Sequence, residues 1–207
     1  MEPEIEAREA AEHLAAIRRI MESATKLTVL PGKAAVIGGA LALAGCGATY
    51  ALMRSLDFAA MAALPAEKRA AVIAVWGGVG ILAVLVDVLL SVRLARKHGK
   101  SPWSRLEQLA VYAMGPCVGV ALALTLALGA RGEWGLAPGI WMMLYGAAVW
   151  MTGILSVRAP GALGLAFLVA GVLTLFWLAP YGLAMIALTF GLGHVLYGAY
   201  LLRRFGD

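Results

Sequence analysis

Charge is what this 207-residue chain has least of: 14% of its residues are Asp, Glu, Lys or Arg, where about a quarter is usual in a soluble domain. That shortage excludes an ordinary soluble fold, whose surface needs charge to stay hydrated. There are 2 cysteines, Cys46 and Cys117, both inside apolar runs, so neither a disulfide framework nor a three- or four-thiolate metal site is available. Histidine is also scarce, at 3 residues. His13 and His98 fall outside the apolar runs, which leaves no pair of intramembrane histidines for a bis-histidine haem. No phosphate loop, dinucleotide fingerprint, metal-ligand spacing or Gly-flanked nucleophilic serine occurs, so no cofactor and no enzymatic activity are expected.

What is present is apolar residue in long runs, 62% of the chain. A helix needs about 20 such residues to cross a bilayer, and the sequence predicts six spans over 31–53, 70–93, 108–130, 137–157, 160–179 and 181–203. The expected fold class is therefore all-α, a polytopic membrane bundle over 30–207. The breaks carry Pro65, Gly99, Ser101-Pro102, Gly132, Gly135, Pro160-Gly161 and Pro180, the punctuation of short connections. With the N-terminus inside, 13 of the 17 Lys and Arg residues fall on the cytoplasmic side and 4 on the other. The positive-inside rule then puts both termini in the cytoplasm, and the expected location is a bacterial inner membrane.

Residues 1–29 have no apolar core of a secretory signal, so the mature chain is expected to start near Met1. Ala7, Ala10, Leu14, Ile17, Met21 and Ala24 recur at the period of a helical seam, which predicts a cytoplasmic amphipathic helix lying on the membrane or on a partner. The second loop gathers Arg93, Arg96, Lys97, Lys100 and Arg105 around Trp103. A basic cluster beside an interfacial tryptophan is expected to contact anionic lipid headgroups. Nucleic acid is not an expected partner, because the positive charge follows the cytoplasmic rim and forms no basic domain.

Helices in lipid associate through small residues that let backbones approach. Two ridges fit that role: Ala40, Ala44 and Ala48 in the first span, and Gly115, Gly119, Ala123 and Ala127 in the third, serving contacts within the chain or between subunits. Pro116 lies inside the third span and is expected to bend it. Two ionisable groups of the Asp, Glu and His types sit well inside spans, Asp87 and His194. An intramembrane carboxylate is costly and should face the bundle and find a partner. The stripes Gly80-Ala83-Asp87-Ser91 and Ala184-Ala187-Gly191-His194-Gly198 and the matching depths of the two groups point to an Asp87–His194 pair, with Tyr145, Thr152 and Tyr197 as polar neighbours. The alternatives are a static bond from Asp87 to Lys33, Ser91 or a tyrosine, and a satisfied core histidine at His194.

The even spans end alike, Leu89-Leu90-Ser91-Val92-Arg93 against Ile154-Leu155-Ser156-Val157-Arg158, and Leu144-Tyr145-Gly146-Ala147 repeats as Leu196-Tyr197-Gly198-Ala199, which suggests three hairpins in a row. From Tyr145-Gly146 through Pro160-Gly161-Ala162-Leu163-Gly164 to Gly191-Leu192-Gly193-His194 and Arg203-Arg204, the second half resembles the small six-span acid-resistance membrane proteins of bacteria, the HdeD-like group. That resemblance implies a six-span bundle and carries no site. The run from Glu12 to Glu22 leading into Thr28-Val29-Leu30-Pro31-Gly32 resembles the entry to uncharacterised bacterial multi-pass proteins. The expected function is a non-enzymatic structural or accessory membrane subunit, a homo-oligomer or part of a larger complex. The competing expectation is a small oligomeric channel or proton-linked transporter using Asp87 and His194.

Overall fold

In a computed structural model, the structure describes residues 32–97, 105–154 and 158–205, together with the single positions 13, 99, 101 and 103. The expected amphipathic helix over 1–29 lies outside the described residues. The rest is helical, with no strand among the described residues. The main elements are α1 (Gly32–Met53), α2 (Ala66–Lys97), α3 (Arg105–Ala130), α4 (Ala137–Ile154), α5 (Arg158–Phe176), α6 (Gly182–Ile186), a π-helical segment (Ala187–Gly193) and α7 (His194–Phe205).

Among the described residues, four stretches are long and apolar enough to cross a membrane: Gly32–Met53, Ala66–Lys97, Ala110–Ala130 and Ala179–Arg204. This corrects the expected six. The segment over 137–157 forms a helix of 18 residues, and the apolar part of the next is Pro160–Phe176. At about 1.5 Å per residue both reach roughly 26–27 Å, short of a bilayer core of about 30 Å.

Close packing follows glycines seven residues apart, a pattern distinct from the two expected ridges. On α4 and α5, Gly139, Gly146 and Gly153 face Gly171, Gly164 and Gly161; a Cβ on Gly146 would lie 2.8 Å from the Gly164 carbonyl oxygen, and one on Gly171 would lie 2.9 Å from that of Gly139. The seam between α1 and α7 repeats the device. There a Cβ on Gly39 would lie 2.6 Å from the Gly191 oxygen, and one on Gly198 would lie 2.5 Å from the Gly32 oxygen. Any side chain at these positions would push the two backbones apart. Ala40, Ala44 and Ala48 are instead exposed, and a Cβ added at Gly115 or Gly119 would meet nothing within 4 Å. Neither expected ridge is a packing face within the chain.

The core lies toward the end where three 3-10 turns gather, Phe58–Ala63, Trp134–Leu136 and Ala179–Tyr181. Asp57 caps the first of them, its Oδ1 accepting from the Ala59 backbone N–H at 2.8 Å, and the Leu183 N–H donates to the Leu56 carbonyl at 2.9 Å. This holds Phe58 and Met61 against Cys46, Met53, Val72, Met142, Leu183 and Ile186.

The helices α2 and α3 are peripheral. Only 6% of the residues in the apolar stretch of each are buried, against 33% in α1. The packing partner of α2 is α1, where Trp76 and Val79 lie against Gly45; α3 rests on α4 and the Trp134–Leu136 turn. Although consecutive, α2 and α3 do not pack on each other among the described residues. Pro116 lies within α3, which continues as α-helix through it.

Candidate functional site

The most polar point inside the bundle is built by α4 and the end of the π-helical segment. The Tyr145 hydroxyl and His194 Nε2 share a hydrogen bond of 2.7 Å. His194 Nδ1 is buried, without a well-aligned partner, against the carbonyls of Thr189 and Phe190. With the imidazole proton on Nδ1, Nε2 accepts from the Tyr145 hydroxyl; with it on Nε2, the direction reverses. A π-helical segment has a wider turn than an α-helix and recurs at functional positions in proteins. Here it ends one residue before His194 and aims the imidazole at α4.

Aromatic rings wall the pair in. Phe190 stacks on His194 with centroids 6.0 Å apart and planes 6° from parallel, and Phe167 meets the imidazole edge-on at 5.4 Å. Tyr145 contacts Phe167 and Phe190 at 5.0 Å each. The rings fill the space between them, so this is a packed cluster with no room for a ligand between its members. Both Tyr145 and His194 remain half-buried and reachable from the flank of the bundle.

The direct Asp87–His194 contact expected from depth is not made; the depth-matched neighbour that reaches His194 is Tyr145. Asp87 is exposed on the flank of α2 and makes no hydrogen bond or ion pair among the described residues. On the same helix Gly80 is exposed, while Ala83 and Ser91 are half-buried. The expected stripe is thus turned sideways from the bundle. Its counterpart is split, with Ala184 exposed and Gly191 and Gly198 used in the seam with α1. Tyr197 is half-buried without a hydrogen bond to Asp87 or His194, and Thr152 donates to the Val149 carbonyl of its own helix at 2.8 Å. Thr125, Thr174 and Thr189 also spend their hydroxyls on carbonyls four residues back, at 2.7 Å in each case. These hydroxyls donate within their own helices, and Thr125 Oγ1 also accepts from Trp141 Nε1–H at 2.9 Å, a bond between α3 and α4.

At the basic end, Arg93, Arg96, Lys97 and Trp103 are exposed, with Trp103 at 62%. Gly99 has φ 64°, in the left-handed region that glycine tolerates, and its N–H donates to the Arg96 carbonyl at 3.1 Å to end α2. Lys100 and the Arg105 side chain lie outside the described residues. Among the described residues no group of three or more His, Cys, Asp or Glu side chains is placed to hold a metal ion. Phe167 and Phe190 were missed by sequence reasoning. For Phe190 a signal was available, since it lies four residues before His194 and so on the same helical face.

Compared with known proteins, the chain matches no family model, no curated protein and no solved structure. Its class is therefore stated on its own structure: an all-helical protein with four helices long and apolar enough to cross a membrane.

Proposed function

We infer that this chain is a structural or accessory subunit of a membrane assembly, without catalytic activity of its own. The observation that carries the reading is the one-sided attachment of α2 and α3. Each rests on the bundle along one face and leaves glycines and polar side chains, Asp87 on α2 and Tyr112 on α3, without a partner among the described residues. A carboxylate facing acyl chains costs about 2.5–3.5 kcal/mol, which a neighbouring protein offering a hydrogen-bond donor removes.

In this reading the chain lies in the bacterial inner membrane, N-in and C-in, with the four long stretches as full spans and α4 and α5 as a shorter hairpin packed against them. The rim from Arg93 to Arg105 contacts anionic lipid. The test is mass photometry of the full chain in nanodiscs of native lipid. An assembly heavier than one protomer is expected, and a uniform monomer refutes the reading.

A second reading, a proton-linked transporter, is favoured by one observation, the Tyr145–His194 hydrogen bond held among aromatic rings inside the bundle. Proton flux in proteoliposomes that Asp87→Asn abolishes would move the conclusion to it.

A further inference from the structure

Two faces that the fold leaves open match each other. On one flank of α2, Gly80 is a notch at which a Cβ would meet nothing within 4 Å, Val84 is 62% exposed, and Asp87 is exposed without a hydrogen-bond partner among the described residues. On α3, Tyr112 is 69% exposed, followed by open notches at Gly115 and Gly119. In the seam of α1 with the π-helical segment and α7, and in that of α4 with α5, glycines are filled by a facing helix, whereas Gly38, Gly47, Gly77 and Gly78 stand open. Gly80, Gly115 and Gly119 are likewise filled by nothing.

Consecutive spans cross a membrane in opposite directions. A single antiparallel register then sets Asp87 opposite Tyr112, Val84 opposite Gly115 and Gly80 opposite Gly119, each pair three or four residues from the next on both helices. The depths agree as well. Asp87 is about six residues from Arg93 and Tyr112 about seven from Arg105, roughly 9 and 10 Å from the same rim. In that register the Val84 side chain enters the notch at Gly115, the two facing glycines let the backbones close, and the Tyr112 hydroxyl donates to the Asp87 carboxylate. Lipid supplies no such donor. The α3 face is exposed, whereas the contact of α3 with α4 includes the Thr125–Trp141 hydrogen bond beside the buried Ala121.

We propose that a second copy of this chain packs its α3 against α2 in this register, with the partner's Tyr112 donating to Asp87. A two-fold axis along the membrane normal makes the contact twice, α2 on α3 and α3 on α2, and so closes the assembly as a dimer. The proposal rests on the subunit reading above and names its partner.

The test is cross-linking of the full chain in native membranes, with Cys46 and Cys117 replaced by Ala. Gly80→Cys in one tagged copy and Gly119→Cys in a differently tagged copy are co-expressed and oxidised with copper phenanthroline. Both sites have open space for the new side chain. The expected result is a disulfide-linked pair carrying both tags, absent when Gly78→Cys, on the opposite side of α2, replaces Gly80→Cys. Tyr112→Phe removes only the hydroxyl, and because the two-fold makes that hydrogen bond twice it is expected to weaken dimerisation roughly eight- to three-hundred-fold in the bilayer. The proposal is overturned if the disulfide forms only within one chain of the double variant, or if no linkage forms. Linkage of both cysteines to an unlike chain also overturns it while leaving the subunit reading standing; a protein monomeric in the bilayer overturns both.

Discussion

Gly146→Ala places one methyl group where the α4–α5 seam has no space, and the size of the penalty follows from the geometry. The new Cβ would lie 2.8 Å from the Gly164 oxygen, 2.8 Å from the Leu168 nitrogen and 2.9 Å from the Phe167 Cβ. Two of these three neighbours are backbone atoms that cannot swing aside. Ordinary van der Waals contact begins near 3.4 Å, so the helices must separate by about half an ångström along a seam that Gly139 and Gly153 hold equally tight. Overpacking of this kind costs about 1–3 kcal/mol, offset by up to about 1 kcal/mol because alanine is the better helix former. A net loss of about 1–2 kcal/mol lowers Tm by about 2–8 °C for a chain of this length. Cys46, 7% exposed, is a built-in reporter once Cys117 is replaced by Ala, because a thiol-reactive fluorophore reaches it only on unfolding. The matched control is Gly38→Ala on α1, where an added Cβ would meet nothing within 4 Å, and it should leave Tm unchanged or raise it. If Gly146→Ala melts no lower than Gly38→Ala, the glycine seam does not set helix spacing and the reasoning fails.

Three further outcomes are expected. Tyr145→Phe removes the partner of His194 Nε2 and should cost about 0.6–1.7 kcal/mol, the range for hydrogen bonds between membrane helices, read by the same thiol assay; an unchanged melt would mean the bond is not held in the folded protein. Asp57→Ala deletes the side-chain acceptor of the Ala59 N–H and should cost about 1 kcal/mol, with Asp57→Asn retaining most of the stability. A cysteine at Glu133 should react with an impermeant maleimide from the outer side of intact cells and one at Lys97 should not; the reverse pattern would invert the proposed topology.

Particular residues show how far reading the chain alone reached. The helices and most of their breaks were legible because each depends on a local property: an apolar run long enough for the bilayer, or a Pro, Gly or Ser that ends it. The repeat Leu-Tyr-Gly-Ala at 144–147 and 196–199 carried more than it showed, since its glycines, Gly146 and Gly198, both sit in close seams. The seven-residue spacing of Gly139, Gly146 and Gly153 was equally visible. It was outweighed by the four-residue ridges of α1 and α3, which turn outward. At the candidate site, the depth of His194 was readable and its partner was not.

The sequence by itself determined that the protein is apolar, all-helical and poor in ionisable groups, because these follow from composition and spacing along one chain. Only the tertiary structure decided which small residues touch, that His194 is held by Tyr145, and that Asp87 stands on an open flank. Those outcomes depend on the rotation of each helix about its own axis, and composition leaves that angle free. In this chain it is set by glycine notches that admit a facing backbone at one angle and exclude it at the rest.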